Sequence, residues 1–211
     1  IYYLNKIASD LNRTFKNPKN TLVLEIGCND GALSNKLSIL GFKIIGIEPA
    51  KNVTKDITNK KIKIINNFFT ESLAKKILRK YGKVDAIISF NALAHIENMH
   101  SVMKGIRYLL KKEGILQFGV HYLGELIEKR QFDMIYHEHQ YYYSVICLKN
   151  FLSLYNMDIY DVKQTSIHAG SIVVFAQNKD YGKKKITENV KKIIKQELKI
   201  GLDKTEIYKS F

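Results

Sequence analysis

The sequence predicts an α/β fold, a mostly parallel sheet of seven strands covered by helices on both faces and finished by an antiparallel edge. Three observations carry that expectation. From Thr21 onward, short β-branched runs alternate with amphipathic stretches, the pattern of βαβ units. The run VDAIISF (84–90) is apolar almost throughout, as a strand buried on both faces must be. Two late runs, MDIYDVKQ (157–164) and GSIVVFAQN (170–178), follow one another with no helix between them, which sets an antiparallel pair beside the parallel strands.

The elements follow in order. Residues 2–16 place Tyr3, Leu4, Ile7, Leu11 and Phe15 at helical spacing, and NPKN ends that helix. TLVLEIG (21–27) is the first strand, followed by a glycine-bearing turn and the helical ALSNKLSILG. KIIGIE (43–48) is the second strand, KNVTKDITNK a short helix and KIKIIN (61–66) the third strand. ESLAKKILRKYG is a helix closed by Gly82, and VDAIISF is the fourth strand. MHSVMKGIRYLLKKEG reads as an amphipathic helix stopped by Gly114, with GILQFGVHY as the fifth strand. After a loop containing YHEH (136–139) come the helix VICLKNFLSLYN and the two late strands. Residues 183–200 form a Lys-rich helix with Ile186, Val190, Ile193, Ile194 and Leu198 on one face. The expected organisation is therefore one domain over 1–182, with 183–211 opening a further C-terminal domain.

Composition bounds the function. With 211 residues, 45% hydrophobic and 26% charged, the chain suits one large soluble domain. No apolar run approaches the roughly 20 residues that span a bilayer, and the polar-studded N-terminal stretch is not a signal peptide, so no membrane partner is expected. The chain opens on Ile1 rather than Met, as an internal piece of a longer polypeptide does. Cys28 and Cys147 stand far apart without a CxxC partner, which argues against a zinc module or a disulfide scaffold and for a reducing cytoplasm. The formal charge of +14 raises nucleic acid as a partner, but the basic residues are almost all lysine and scattered. A solvated lysine surface is the expectation, with no nucleic acid bound. The sequence carries no signal of oligomeric state.

Ligands of an open parallel sheet bind at the carboxyl ends of its strands. LEIGCNDG puts Gly27 and Gly31 directly after the first strand, where glycine permits a sharp turn and a close approach of main chain to ligand. The stretch is neither GxGxxG nor GxxxxGK[ST], so a dinucleotide fits less well and a P-loop is excluded. Glu48 ends the second strand, where a carboxylate suits the two hydroxyls of a ribose.

YHEH admits three readings. As a metal site it supplies only His137 and His139, needs His95 or His121 as a third ligand and has no cysteine nearby. As a polar loop its imidazoles would merely bond neighbouring main chain. As an acid–base site it fits the placing of four of the six histidines (His95, His121, His137 and His139) after strands four and five.

EIGCNDG, GIEPAKNV, FFTESLAKK, DAIISFNALAHI, LLKKEGIL, YHEH and SIHAGSIVVF resemble, in order and spacing, the class I S-adenosylmethionine-dependent methyltransferases. More narrowly they are similar to the sugar C-methyltransferases, which methylate nucleotide-linked deoxysugars at C3. The resemblance spans about Thr21 to Gln177 and implies a Rossmann-like fold with S-adenosyl-L-methionine as cofactor. It implies a cofactor-binding set of Glu25, Gly27, Asn29, Gly31, Glu48, Asn67 and Phe68. Gly27, Asn29 and Gly31 would surround the methionine part, Glu48 would hold the ribose, and Asn67 and Phe68 would flank the adenine. It implies His139 as the base that removes the C3 proton of a nucleotide-linked 4-keto sugar. Glu138 and Tyr136 would position that base and the substrate, and Asn91 and His95 would bind the sugar and steady the enolate. No metal is part of this site.

The chain departs from the family in places. Gly119 and His121 stand where the family usually has Glu and Pro, Ala169 replaces a glycine, and Val173 an arginine. The cysteine-rich zinc domain that normally lies upstream, and most of the C-terminal domain, are not in this sequence. Two alternatives remain: a methyltransferase of the same fold acting on oxygen or nitrogen of another small molecule, or a catalytically inactive basic module that binds nucleic acid.

Overall fold

The computed structural model describes residues 2–211, apart from the side chains of Tyr2 and His168. Its elements are α1 (Tyr2–Thr14), β1 (Leu22–Ile26), α2 (Ala32–Ile39), β2 (Lys43–Ile47), α3 (Lys51–Thr54), β3 (Ile62–Ile65), α4 (Glu71–Tyr81), β4 (Val84–Phe90) and α5 (Met99–Leu109). β5 (Leu110–His121), α6 (Leu123–Glu128), α7 (Val145–Ser153), β6 (Met157–Thr165), β7 (Ser171–Asn178), α8 (Glu188–Ile200) and α9 (Thr205–Ser210) follow. The seven strands have the order β3-β2-β1-β4-β5-β7-β6. β1 pairs in parallel with β2 and β4, and β2 with β3, whereas β7 runs antiparallel to both β5 and β6. The expected parallel sheet with an antiparallel edge is the observed one.

The chain divides into two compact units, one reaching to Ser89 and including His100–Gly114, the other comprising Phe90–Met99 and Ile115–Phe211. In the first, Val23, Leu24, Ile44, Ile45, Ile87 and Ile88 are buried on the strands, and Leu33 and Leu37 on α2. Each such side chain contributes about 1.5–3 kcal/mol by leaving water. α4 shows why its sequence is helical. Thr70 caps it by accepting the Leu73 N–H at 3.2 Å, Leu73, Ala74 and Ile77 form its buried face, and Gly82 ends it at φ 77°.

Several elements differ from the sequence expectation: α3 stops at Thr54, α6 falls where a loop was expected, and two further helices have other bounds. The helix expected to run to Gly114 stops at Leu109, and Leu110–Gly114 begin β5. Two lysines, Lys83 just before β4 and Lys111 on β5, accompany this. Lys111 pairs with Asp85 at 2.7 Å and Lys83 donates to the Leu110 carbonyl at 3.4 Å, drawing the segment alongside the start of β4. The Lys-rich helix starts at Glu188 rather than at residue 183, so Ile186 lies before it and is exposed, as is Leu198. Its buried positions are Val190, Ile193 and Glu197, three and four residues apart, and they face β6 and α7. No helix is long and apolar enough to cross a membrane among the described residues.

Candidate active site

The first unit carries the glycine turn. β1 ends at Ile26, and Gly27 turns the chain at φ 72° while its N–H and that of Cys28 both donate to the Ile47 carbonyl, at 2.9 and 3.1 Å. Asn29 (φ 50°) and Gly31 (φ 75°) also lie in the left-handed region, which glycine adopts freely and asparagine tolerates. A Cβ at Gly31 would come within 2.8 Å of Ile57 Cδ1. The Glu48 carboxylate locks the turn. Oε2 accepts the Asn29 N–H at 3.1 Å and Oε1 accepts the Ala50 N–H at 3.0 Å. A carboxylate has about four lone-pair directions, so those two bonds fix its plane and leave capacity for the two hydroxyls of a ribose. The main chain of β2 runs close beneath, where a Cβ at Gly46 would meet Cys28 Sγ at 2.8 Å.

After β3, Asn66 donates to the Glu48 carbonyl at 3.0 Å, Asn67 bonds the Phe68 N–H at 2.8 Å, and Phe68 stands 70% exposed. An exposed phenyl after β3 and a carboxylate after β2 are group types that suit a purine and a ribose. The residues present therefore fit S-adenosylmethionine, whose sulfonium-borne methyl group is the electrophile of this chemistry. Glu25 is placed differently. It is buried, and its Oε2 takes the Ser34 hydroxyl of α2 at 2.5 Å, so any contribution to the cofactor passes through that helix. Burial pushes its carboxyl up to about 8, against the opposing bond from Ser34. Cys28 is raised by burial, with Glu25 and Glu48 adding negative charge, to about 12, which keeps it a thiol.

The second unit carries the acid–base candidates. Asn91 turns the chain after β4 at φ 56°, its N–H donating to the Gly119 carbonyl at 3.1 Å. Residues 93–97 and 136–143 are then bonded to each other repeatedly. His95 Nδ1 donates to the Glu138 carbonyl (3.0 Å), and the Gln140 N–H to the Ala94 carbonyl (2.8 Å). The Tyr141 hydroxyl donates to Glu97 O (2.5 Å) and the Tyr143 hydroxyl to Leu93 O (3.3 Å). A carbonyl only accepts, so Nδ1 of His95 carries a proton and Nε2 is the nitrogen left to meet a ligand.

His139 Nε2 lies 2.8 Å from the Tyr136 hydroxyl, and the His95 and His139 ring centroids are 5.0 Å apart. His139, Tyr136 and His95 thus form one cluster. Glu138 joins it through its main-chain carbonyl while its side chain is exposed, and His137 is exposed. His121, within the run expected as strand five, is the last residue of β5 and buried. No group of three or more His, Cys, Asp or Glu side chains has metal-ligating spacing among the described residues.

Sequence reasoning passed over Tyr142. Its ring meets His139 edge-on at 5.7 Å, and its hydroxyl accepts the Tyr136 N–H at 3.3 Å while donating to the Met134 carbonyl at 3.3 Å. The tyrosine run after YHEH was the available signal.

Comparison with known proteins shows the family and the fold. Residues 2–162 match the methyltransferase domain family, and residues 166–211 match the C-methyltransferase C-terminal domain. The chain belongs to the methyltransferase domain family, the class I enzymes that take their methyl group from S-adenosylmethionine.

The C-methyltransferase NovU of Streptomyces niveus is 33% identical over 155 residues, 74% of this chain and 37% of that protein. A ubiquinone biosynthesis O-methyltransferase of Pelagibacter ubique is 32% identical over 101 residues, 46% of this chain and 41% of that protein. The chain spans less than half the length of these curated relatives. Among solved structures, magnesium protoporphyrin IX methyltransferase from Synechocystis PCC 6803 with bound SAH superposes with a TM-score of 0.62 at 18% identity. That superposition covers 83% of this chain and 81% of the other and shows the shared fold.

Proposed function

We propose that this methyltransferase transfers a methyl group to carbon, at C3 of a nucleotide-linked 4-keto-deoxysugar, after a base has drawn off the adjacent proton. The observation that carries the reading is the cluster of His139, Tyr136 and His95, with a 2.8 Å hydroxyl–imidazole contact and rings 5.0 Å apart. A C–H group is no nucleophile until deprotonated, so carbon methylation needs a base and oxyanion donors, whereas a phenol or amine needs far less. The likeness to the C-methyltransferase NovU and to a C-methyltransferase C-terminal domain supports the same choice.

In this reading His139 Nε2 takes the C3 proton, and Tyr136 holds that lone pair aimed until substrate replaces it. The electron pair of the C–H bond enters a C3–C4 double bond as the C4 carbonyl becomes an enolate oxygen. His95 Nε2, set by the bond from Nδ1 to Glu138, and the Asn91 amide donate to that oxygen. Glu138 holds His95 in this way. The enolate carbon would then take the methyl group as the S–CH3 bond breaks, the electron pair of that bond returning to sulfur so that S-adenosylhomocysteine leaves, and the carbonyl would return. Gly27, Asn29, Gly31 and Glu48 hold the cofactor, Asn67 and Phe68 flank its adenine, and Glu25 steadies the turn from within.

The test is isotopic. In heavy water, with S-adenosylhomocysteine present to block transfer, a nucleotide-linked 4-keto-deoxysugar should exchange its C3 proton. With a 13C-methyl donor the label should appear on a carbon by NMR. Label on oxygen or nitrogen of the acceptor, with no exchange, would overturn the reading.

A further inference from the structure

Glu197 is fully buried, on the inward face of α8, at a position where leucine would be the ordinary choice. A buried carboxylate persists only where hydrogen bonds replace water. Here Oε1 accepts the Val145 N–H at 2.6 Å and Oε2 accepts the Ile146 N–H at 2.8 Å. These are the first two N–H groups of α7, and the third, that of Cys147, goes to the Ser144 hydroxyl at 3.1 Å. The start of α7 is therefore capped by a side chain more than fifty residues away in sequence. Burial raises the Glu197 carboxyl, and the two amides oppose that by stabilising the charged form.

The first turn of α7 is the far end of the acid–base loop. One residue before Ser144 is Tyr143, whose carbonyl accepts the Leu123 N–H at 2.9 Å and whose buried hydroxyl reaches Leu93. Gln140 and Tyr141 then fasten to Ala94 and Glu97 on either side of His95. Movement of the first turn of α7 would be passed along this short, bonded segment to the His139 ring. We infer that Glu197 is a positioning residue for the acid–base loop: by fixing the start of α7 it fixes residues 140–143, and with them the approach of His139 to His95. The inference rests on the reading of His139 as the base. Glu197 belongs to the segment that matches the C-methyltransferase C-terminal domain, so through Glu197 that segment bears on proton abstraction.

The experiment compares Glu197→Gln, Tyr143→Phe and the control Val174→Ala with the parent in the full-length natural polypeptide. Val174 is a buried residue of β7 outside the loop. The measurements are C3 proton exchange at saturating sugar nucleotide, its KM, S-adenosylhomocysteine affinity and melting temperature. Misplacing a reacting group by about 1 Å costs up to roughly 10²-fold, so Glu197→Gln should lower maximal exchange by about tenfold or more. KM and cofactor affinity should stay within about twofold of the parent, as for distant independent sites. Tyr143→Phe should show the same split, and Val174→Ala should lose melting temperature while keeping its exchange rate.

Parental exchange in both Glu197→Gln and Tyr143→Phe would overturn the inference and leave the function standing. So would a loss in Val174→Ala that scaled with stability in the same way. If Glu197→Gln does not fold, Tyr143→Phe decides alone. A parent that exchanges nothing removes the function, and the inference falls with it.

Discussion

The two regions that carry the candidate residues, one in each compact unit, are built from different materials. The glycine turn is mostly main chain: two amides on the Ile47 carbonyl, two more on Glu48, and left-handed residues at 27, 29 and 31. Its shape follows from the parallel register of β1 with β2, which sets Ile26 beside Ile47. The 136–143 loop has no such frame. Its chemistry sits in rings and hydroxyls held by bonds to another irregular stretch, residues 93–97. A main-chain site tolerates side-chain change except where a Cβ is forbidden, whereas a side-chain site depends on every partner that aims its rings.

The sharpest way to break that comparison is a Cβ at the turn. Gly31→Val must adopt a left-handed conformation and press on Ile57, at a cost of about 1–3 kcal/mol. S-adenosylhomocysteine affinity by calorimetry should fall by about 10²-fold, equivalent to nearly 3 kcal/mol. C3 exchange should stay near that of the parent, because the loop is untouched. Equal loss of both would show that the two regions do not act separately.

A comparable effect separates the buried support of the turn from its exposed face. The Glu25 carboxyl titrates at about 8 in the fold against 4.5 ordinarily. Between those values the folded chain keeps a proton that the unfolded chain has released. Its contribution is therefore fully present below pH 4.5, declines as pH rises toward 8 and is gone above that. Urea unfolding should show Glu25→Gln gaining on the parent between pH 5 and pH 9 by about 2–4 kcal/mol. An unchanged difference would mean that Glu25 is charged throughout.

The smallest effect falls at Ala169, an alanine held at φ 58°. Glycine there relieves about 1 kcal/mol of left-handed strain and returns much of it as unfolded-state entropy. Ala169→Gly should raise the melting temperature by about 1–3 °C, and a fall would refute the strained conformation.

Much of this was legible beforehand, for physical reasons. Strands show through because a buried parallel strand must be apolar and β-branched, as in VDAIISF, found as β4 over the same seven residues. Gly27 and Gly31 stood out because left-handed turns favour glycine, whereas Asn29 and Asn91 share that conformation and asparagine marks it more weakly. The helix overrun at Leu110 arose because Leu, Lys and Glu favour helices, and contacts from outside the segment, among them Asp85 and Lys83, override them. Glu197 was hidden for the same cause. Its partners are the amides of Val145 and Ile146, so its burial was settled by tertiary contact, and the expected stripe took Leu198 instead. Tyr142 could not be separated from its neighbouring tyrosines, since alternation along an irregular loop has no fixed period.

The most direct measurement is C3 proton exchange and S-adenosylhomocysteine affinity together in His139→Gln. Glutamine keeps much of the shape and cannot hold a proton. Exchange and methyl transfer should fall together by about 10²–10⁴-fold, the usual size of a general-base contribution. Affinity for S-adenosylhomocysteine should match the parent, because Glu48 and the glycine turn are unchanged. A His139→Gln enzyme that exchanged and methylated at the parental rate would contradict the account.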